Sequence, residues 1–331
     1  MSTQLLIAQP QWSNSDRGLE VDVSRKQTVM TRKELSKVAE VELRETEHTK
    51  AACLAQLRTW MEQNEDIKDC LMDDVFLLRF LRVKKFSIPM AQQTLLKYLN
   101  YRKRFPLIFN NMDYNEGNVS QLISSGYIFA SPLRDIHGRR VIIYNLGKLD
   151  TKKFTGTDLA KAHAITYETL LADEANQILG VTHVADFREA NPSIVTLFSV
   201  TDFLILLRWG EQSFPMRHKE IHLLNMPATL KYVYDFAKSH MSKKLRERLM
   251  IHDTPGALLQ KVAKECVPKE MGGDVSIKEM VLGWQQELEA KRKRLLTYDD
   301  VELLSDRGII CSRNAQNQAS LIGSFRRLEV D

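Results

Sequence analysis

Tyr127-Ile128-Phe129-Ala130-Ser131-Pro132, Asp135-Ile136-His137-Gly138 and Arg140-Val141-Ile142-Ile143-Tyr144-Asn145 follow one another along the chain with little between them. The first is a short apolar run after Gly126, the second has the composition of a turn, and the third is rich in β-branched residues. Together they read as strand, turn, strand. The alternation continues downstream. Residues 157–179 carry Ala162, Ile165, Leu170, Leu171, Ala175 and Ile178 at helical spacing, and residues 181–187 read as a third strand. An apolar helix is expected over 198–208, a fourth strand over 218–226 ended by Pro227, a helix over 228–238 and a short basic helix over 243–250. Strands alternating with helices over 125–275 predict an α/β fold, a mostly parallel sheet covered by helices. Gly272-Gly273 closes that unit.

Upstream the periodicity is purely helical. From Thr31 to Gln63, Leu35, Val38, Val41 and Leu43, then Ala51, Leu54, Leu57, Trp60 and Met61, fall at spacings that share a stripe. Asp73-Asp74 precede the apolar run 75–82, where acids cap amides and meet the positive end of the helix dipole. Ile88 and Pro89 open another helix that ends before Pro106. The expected organisation is a partly helical arm over 1–47, with residues 1–30 a mobile arm, a helical unit over 48–110, the α/β domain over 120–275, and a helix with a polar tail over 276–331.

The chain has 331 residues and is 44% hydrophobic, enough for one large core and a smaller helical unit. A net charge of +5 becomes informative only if the excess sits on one face. The first residues have no basic n-region, and no stretch approaches the roughly 18 apolar residues needed to span a bilayer, so a soluble cytoplasmic protein is expected. Cys53, Cys70, Cys266 and Cys311 are scattered with no metal-ligand spacing, which suits free thiols in a reducing compartment. No metal and no cofactor is expected.

Enzyme signatures are absent: there is no phosphate-binding glycine loop, no nucleophile elbow and no paired-histidine zinc motif. His222 lies among Ile221, Leu223 and Leu224 and reads as a satisfied core histidine. Asp186 ends a strand, where a carboxylate can be catalytic but more often caps a helix or fixes a turn. Two features carry more weight. The apolar residues of 194–237 can be core, or can line a cavity with a few polar anchors. Basic residues cluster at Arg82-Lys84-Lys85, at Arg217-Lys219 and along 243–248; each run alone is a solvated face, and together they would form an anionic-headgroup site. The runs lack the aromatic interleaving of a single-strand platform, so no nucleic-acid partner is expected.

The blocks FLLRFLR (76–82), PLRDIHGRRVIIY (132–144), SFPMRHKEIHLLNMP (213–227), KKLRERLMIHD (243–253) and PKEMGG (268–273) stand in an order and spacing that resembles the CRAL-TRIO family of lipid-binding proteins over roughly residues 50–290. The resemblance is strongest to its tocopherol-transfer and clavesin branch, and the ending SLIGSFRRLEVD (320–331) is similar to arthropod members of it. It implies an α/β/α sandwich with a lipid cavity, preceded by a small all-helical domain. It implies a hydrophobic ligand held between the sheet and a mobile gate helix at 228–237, hinged near Asn225-Met226-Pro227 and Ser239-His240, with Leu230, Val233, Tyr234 and Phe236 on its apolar face. The implied pocket is Ala160, His163, Tyr167, Val181, Ala185, Leu206, Trp209, Phe214, Ile221 and Leu230. His163 and Tyr167 replace small hydroxyl residues of the tocopherol site, Trp209 fills a valine-like position, and Ala185 stands for an aromatic, so the pocket keeps its apolar character with a different shape. The implied phosphoinositide site is Lys84, Arg217, Lys219, Lys244 and Arg248, all basic here. The family's D-L-x-G motif reads Asp186-Phe187-Arg188-Glu189.

The function expected from this is non-enzymatic: a monomer that binds a small hydrophobic ligand of tocopherol-, retinoid- or similar lipid type and transfers it between membranes, with no catalytic residue. Phosphoinositide at the basic cleft would open the gate, with peripheral attachment to endosomal or plasma membranes. The alternative is a clavesin-type trafficking adaptor for which phosphoinositide binding is the function. An enzyme acting on the ligand would have only His163 and Tyr167 as a polar pair.

Overall fold

Arg140–Asn145 (β3) is buried from Arg140 to Tyr144 on both faces, which is what the apolar centre Val141-Ile142-Ile143 favours, and it takes a place inside the sheet. The computed structural model describes residues 30–310, and within them β3 pairs antiparallel with Ile128–Arg134 (β2) and parallel with Val181–Asp186 (β4). The hairpin between β2 and β3 is made by Asp135, whose Oδ1 accepts from the backbone N–H groups of His137 at 2.8 Å and Arg139 at 2.9 Å, and by Gly138 at φ 74°, a left-handed position that favours glycine. His218–Leu224 (β5) and Leu249–His252 (β6) complete a five-stranded sheet in the order β2-β3-β4-β5-β6, parallel from β3 onward. A further two-residue pair joins Ile67–Lys68 (β1) to Glu302–Leu303 (β7). The fold is therefore the helical unit plus α/β domain with a mostly parallel sheet that the sequence predicts.

The helices run in chain order as α1 Arg32–Leu43, α2 Glu47–Glu62, α3 Asp74–Val83, α4 Ile88–Arg104, α5 Pro106–Phe109, α6 Gly117–Ser124, α7 Gly156–Leu171, α8 Glu174–Leu179, α9 Val200–Arg208, α10 Lys231–His240, α11 Lys243–Arg246, α12 Pro255–Leu259 and α13 Ile277–Leu296. Three expectations are corrected. The helical stretch 31–63 is two helices, because Arg44 turns left-handed at φ 66° and Thr46 caps α2. The helix at 157–179 is also two, because the Asp173 carboxylate accepts from the N–H of Ala175 and starts α8. The basic helix at 243–250 stops at Arg246. Its tail is β6, where Ile221 N–H bonds the Arg248 carbonyl at 2.9 Å and Leu249 sits opposite Ile221.

The two arginines of the apolar run 76–82 tie the helical unit to the sheet domain. Arg79 and Arg82 are each 1% exposed. Arg79 pairs with Glu168 of α7 at 2.5 Å and donates to the Tyr298 hydroxyl at 3.0 Å, while Tyr98 donates to Glu168 at 2.7 Å. Arg82 binds Glu45, Glu174 and Gln177. It belongs to this buried tie and not to a surface basic run, because a buried charge needs its partners. Among the described residues no helix is long and apolar enough to cross a membrane. Residues 1–29, the tail with Leu321, Ile322, Phe325 and Leu328, and Cys311 lie outside the described residues.

Candidate functional site

A cavity of about 350 Å³ lies over the sheet. Its floor is Tyr144 of β3, His183 and Ala185 of β4, and His218 and Ile221 of β5. Ala160, His163 and Tyr167 of α7 form one wall, Phe203, Leu206 and Leu207 of α9 another, and Trp209 to Glu211, Met241 and Leu245 close it. The π-turn Trp209–Ser213 that follows α9 stacks Trp209 on Tyr167 with ring centroids 6.1 Å apart and planes 16° apart.

Most polar groups on this surface are bonded to one another, while the buried Trp209 Nε1 has no partner among the described residues. The Tyr167 and Tyr144 hydroxyls are 2.9 Å apart, Tyr144 Oη is 2.8 Å from His183 Nδ1, His183 Nε2 is 2.8 Å from His218 Nδ1, and His218 Nε2 is 3.1 Å from the Gly210 carbonyl. Separately, Tyr127 Oη lies 3.0 Å from His163 Nε2. Burial pulls the His163 pKa down from 6.5 to about 4, and burial with the neighbouring His218 pulls His183 lower still. Burial also raises the tyrosines: Tyr167 is pushed up to about 12, and burial with the nearby Tyr167 pushes Tyr144 well above its ordinary value. The network is therefore neutral across physiological pH.

Seven of the ten expected pocket positions line this cavity: Ala160, His163, Tyr167, Ala185, Leu206, Trp209 and Ile221. Three do not. Val181 is sealed at the start of β4, and His183, two residues on along the same strand face, lines the cavity. Phe214 sits behind the wall, 4.9 Å from Trp209 and 5.5 Å from Tyr167 by ring centroids. Leu230 is buried in a 3₁₀ turn before α10. Val233, Tyr234 and Phe236 are half-buried on α10 and do not line the cavity either; Phe236 packs on Phe203 at 6.3 Å. Neither α9, which walls the cavity, nor α10, which packs on α9, buries any side chain fully. At the α10 entry, Asn225 is left-handed at φ 56° and is held there by Asp186, which accepts from its side-chain amide at 3.0 Å.

The five basic positions gather in one cleft. Burial lowers the pKa of Lys84, Lys244, Arg217 and Arg248, and neighbouring cations lower each further: Lys244 acts on Lys84, Arg248 and Arg217 on Lys244, Arg217 on Arg248, and Arg139 on Arg217. Lys219 is likewise lowered by burial, with Arg217 adding to it. Three of these cations are already engaged, Arg248 by donating to the His218 carbonyl and the other two through one carboxylate. Glu42 of α1 accepts from Arg217 Nη2 and from Lys219 Nζ, both at 2.6 Å. Burial pushes the Glu42 carboxyl up, but Lys219 and Arg217 outweigh it and hold it at about 2.

Sequence reasoning missed Tyr127, Tyr144, His183 and His218 in the cavity, and Glu42 and Arg139 at the cleft. The signal for His183 was there: it falls between positions 181 and 185, on the same strand face. For Glu42 there was none, because its partners are over 170 residues away along the chain.

Comparison with known proteins gives two family matches: the CRAL/TRIO domain over residues 124–273, and the Pinta-like UBA domain over 46–119. The chain is 26% identical to Clavesin-1 of Xenopus laevis over 234 residues, 70% of each chain. It is 26% identical to the human alpha-tocopherol transfer protein-like protein over 236 residues, 71% of this chain and 68% of that one. With Clavesin-2 of Rattus norvegicus it shares 25% over 236 residues, 71% of this chain and 72% of that one. Among solved structures, that of Sfh5 is similar at TM-score 0.46 and 16% identity over 67% of this chain and 81% of that one.

Proposed function

The chain carries a CRAL/TRIO domain, and from that premise we propose that it is a non-enzymatic carrier of a small hydrophobic molecule between membranes. The observation that carries this is the cavity of about 350 Å³, whose walls are apolar and aromatic apart from a short internally bonded polar edge. Such a surface holds an apolar guest by area removed from water, at about 25 cal/mol per Å². Its one charged lining side chain, Glu211, accepts from the Ser242 N–H, and the histidines stay neutral. General acid–base chemistry wants a group poised near the working pH, and none of the cavity groups with a shifted pKa is held there. The similarity to proteins named for tocopherol transfer supports the reading.

Release is assigned to the two half-buried helices. The segment 228–240 does not line the cavity but packs on the α9 wall through Phe236 and Phe203, between the left-handed Asn225 and the exposed Ser239-His240. Helices with no fully buried side chain, as α9 and α10 are, move apart at low cost. An anionic headgroup, a phosphoinositide above all, enters the cleft of Lys84, Arg217, Lys219, Lys244 and Arg248. To do so it displaces the Glu42 carboxylate from Arg217 and Lys219. Lys244 and Leu245 stand next to each other on α11, one at the cleft and one on the cavity wall, so the two sites share an element.

The test is native mass spectrometry with lipid extraction on protein purified from its own tissue, followed by binding to phosphatidylcholine vesicles with and without phosphatidylinositol bisphosphate. A stoichiometric apolar species establishes the carrier. An empty protein that still binds the anionic vesicles, and loses that binding in Lys219→Ala with Lys244→Ala, is instead an adaptor of the kind the clavesin similarity suggests.

A further inference from the structure

A second space lies beside the cavity, along α9. It measures about 340 Å³ and runs between Phe105 and Ile108, at the junction of α4 and α5, and Leu197 and Ile205, before and on α9. Ala160, Phe198 and Leu206 line this space and the cavity over the sheet alike, so the two meet across three side chains. The outer end of the second space reaches the surface, where its lining residues Thr155, Thr157 and Asp202 are exposed. Asp202 is the one charged residue of the lining, and it is bonded to Ser199 at 2.7 Å.

The sequence makes room for the junction. Gly156 and Ala160 stand one turn apart on the same face of α7, and a side chain at 156 would strike the Leu197 carbonyl and the Phe198 ring. Farther along the helix His163 and Tyr167 carry the bulk and line the first cavity alone. The opposite wall is lightly held. α9 buries no side chain fully, Leu206 and the preceding Phe198 are half-buried, and Tyr101 of α4 donates to the Ile205 carbonyl at 3.4 Å. Side chains packed this loosely move aside at low cost.

We propose that this second chamber is a subsite for the distal part of an elongated cargo, an acyclic hydrocarbon chain that starts over the sheet and threads past Leu206. The inference rests on the reading that the cavity holds cargo. The junction is bounded by Ala160, Phe198 and Leu206, so it suits a chain better than a fused ring system. A chain that ends in the first cavity leaves the apolar walls of Ile108 and Ile205 to water. A longer one removes its own tail and those walls from water together. The first cavity, at about 350 Å³, stands at the small end of the range for ligand pockets, and the two together fall well inside it.

Capture of tritiated methyl laurate, palmitate and stearate from phosphatidylcholine vesicles by the full chain tests this. The membrane keeps every methylene out of water, so each one that the protein leaves in water weakens capture by about fourfold. With both chambers available, capture should stay level from laurate to stearate. Ile205→Trp fills the second chamber from α9; it should leave laurate within about twofold and weaken stearate by about tenfold or more. Thr157→Trp, at the exposed rim, should act in the same direction and serves where Ile205→Trp does not fold. A steep fall from laurate to stearate in the unaltered chain, laurate and stearate weakened alike, or stearate unchanged in the folded variants overturns the subsite and leaves the carrier reading standing. No capture of any ester overturns the chain assignment. The carrier reading then stands if protein from its own tissue still holds a stoichiometric apolar species, and falls with the subsite if it does not.

Discussion

Glu42→Gln should make the protein bind anionic vesicles more tightly. The Glu42 carboxylate sits on Arg217 and Lys219 at 2.6 Å each, and these cations hold it at about 2 instead of 4.5. Unscreened, such a shift corresponds to about 3 kcal/mol of pairing. The side chain is 41% exposed, and exposed ion pairs retain about 0.2–1 kcal/mol, so roughly 1 kcal/mol is the working figure. A headgroup that takes the same cations must forgo that contact. Removing the carboxylate therefore strengthens binding by about 1 kcal/mol, roughly fivefold. The assay is co-sedimentation with phosphatidylcholine vesicles containing phosphatidylinositol bisphosphate, at fixed ionic strength because the contact is screened by salt. The control is Glu40→Gln, an exposed acid on the same helix, which changes the net charge equally. Should Glu42→Gln and Glu40→Gln bind alike, the gain is only long-range charge, and the idea that Glu42 occupies the cleft is wrong.

Other outcomes follow from the same geometry. Arg79→Met leaves Glu168 buried without its cation and should cost about 3–5 kcal/mol, read as a lowered denaturant midpoint; a loss below about 1 kcal/mol would contradict the buried pair. His163 is neutral when folded, with a pKa of about 4 against 6.5 unfolded, so the unfolded state binds more protons between those values. Stability should fall as pH drops from about 6.5 toward 4, by about 2 kcal/mol at pH 5 from this group alone, and His163→Phe should flatten that slope in a melting series. Ala185→Trp puts a large side chain on the cavity floor, so cargo recovered by extraction should vanish while vesicle binding persists.

Much of the fold was legible because local pattern and tertiary role agreed. The run 140–145 carries the β-branched Val141, Ile142 and Ile143 at its centre and is buried on both faces from Arg140 to Tyr144, so composition placed it inside a sheet. Asp73 before an apolar run capped a helix, as such residues do. Reading failed where a local signal was carried past its end. Lys243 to Arg248 has strong helix formers and no glycine or proline, so nothing in the chain announced that Leu249 begins a strand; the open edge of β5 decides that. In the site, family position gave most of the wall. It failed at Val181, sealed two residues before His183 on the same strand face, and at Phe214, which packs behind Trp209. The hydrogen-bonded histidines could not be read, since His183 and His218 meet only after two strands have paired.

The tie between Arg79, Tyr98, Glu168 and Tyr298 has a consequence for how the chain is made. Arg79 and Tyr98 leave the ribosome early, but the carboxylate that neutralises Arg79 arrives 89 residues later, and the Tyr298 hydroxyl 219 residues later. Until then the nascent helical unit cannot close over its guanidinium without burying a bare charge. It must stay open, or hold Arg79 in water, through most of synthesis. Native closure of the amino-terminal unit is thus a late event, set by contacts of long sequence separation, which are the slow ones in folding.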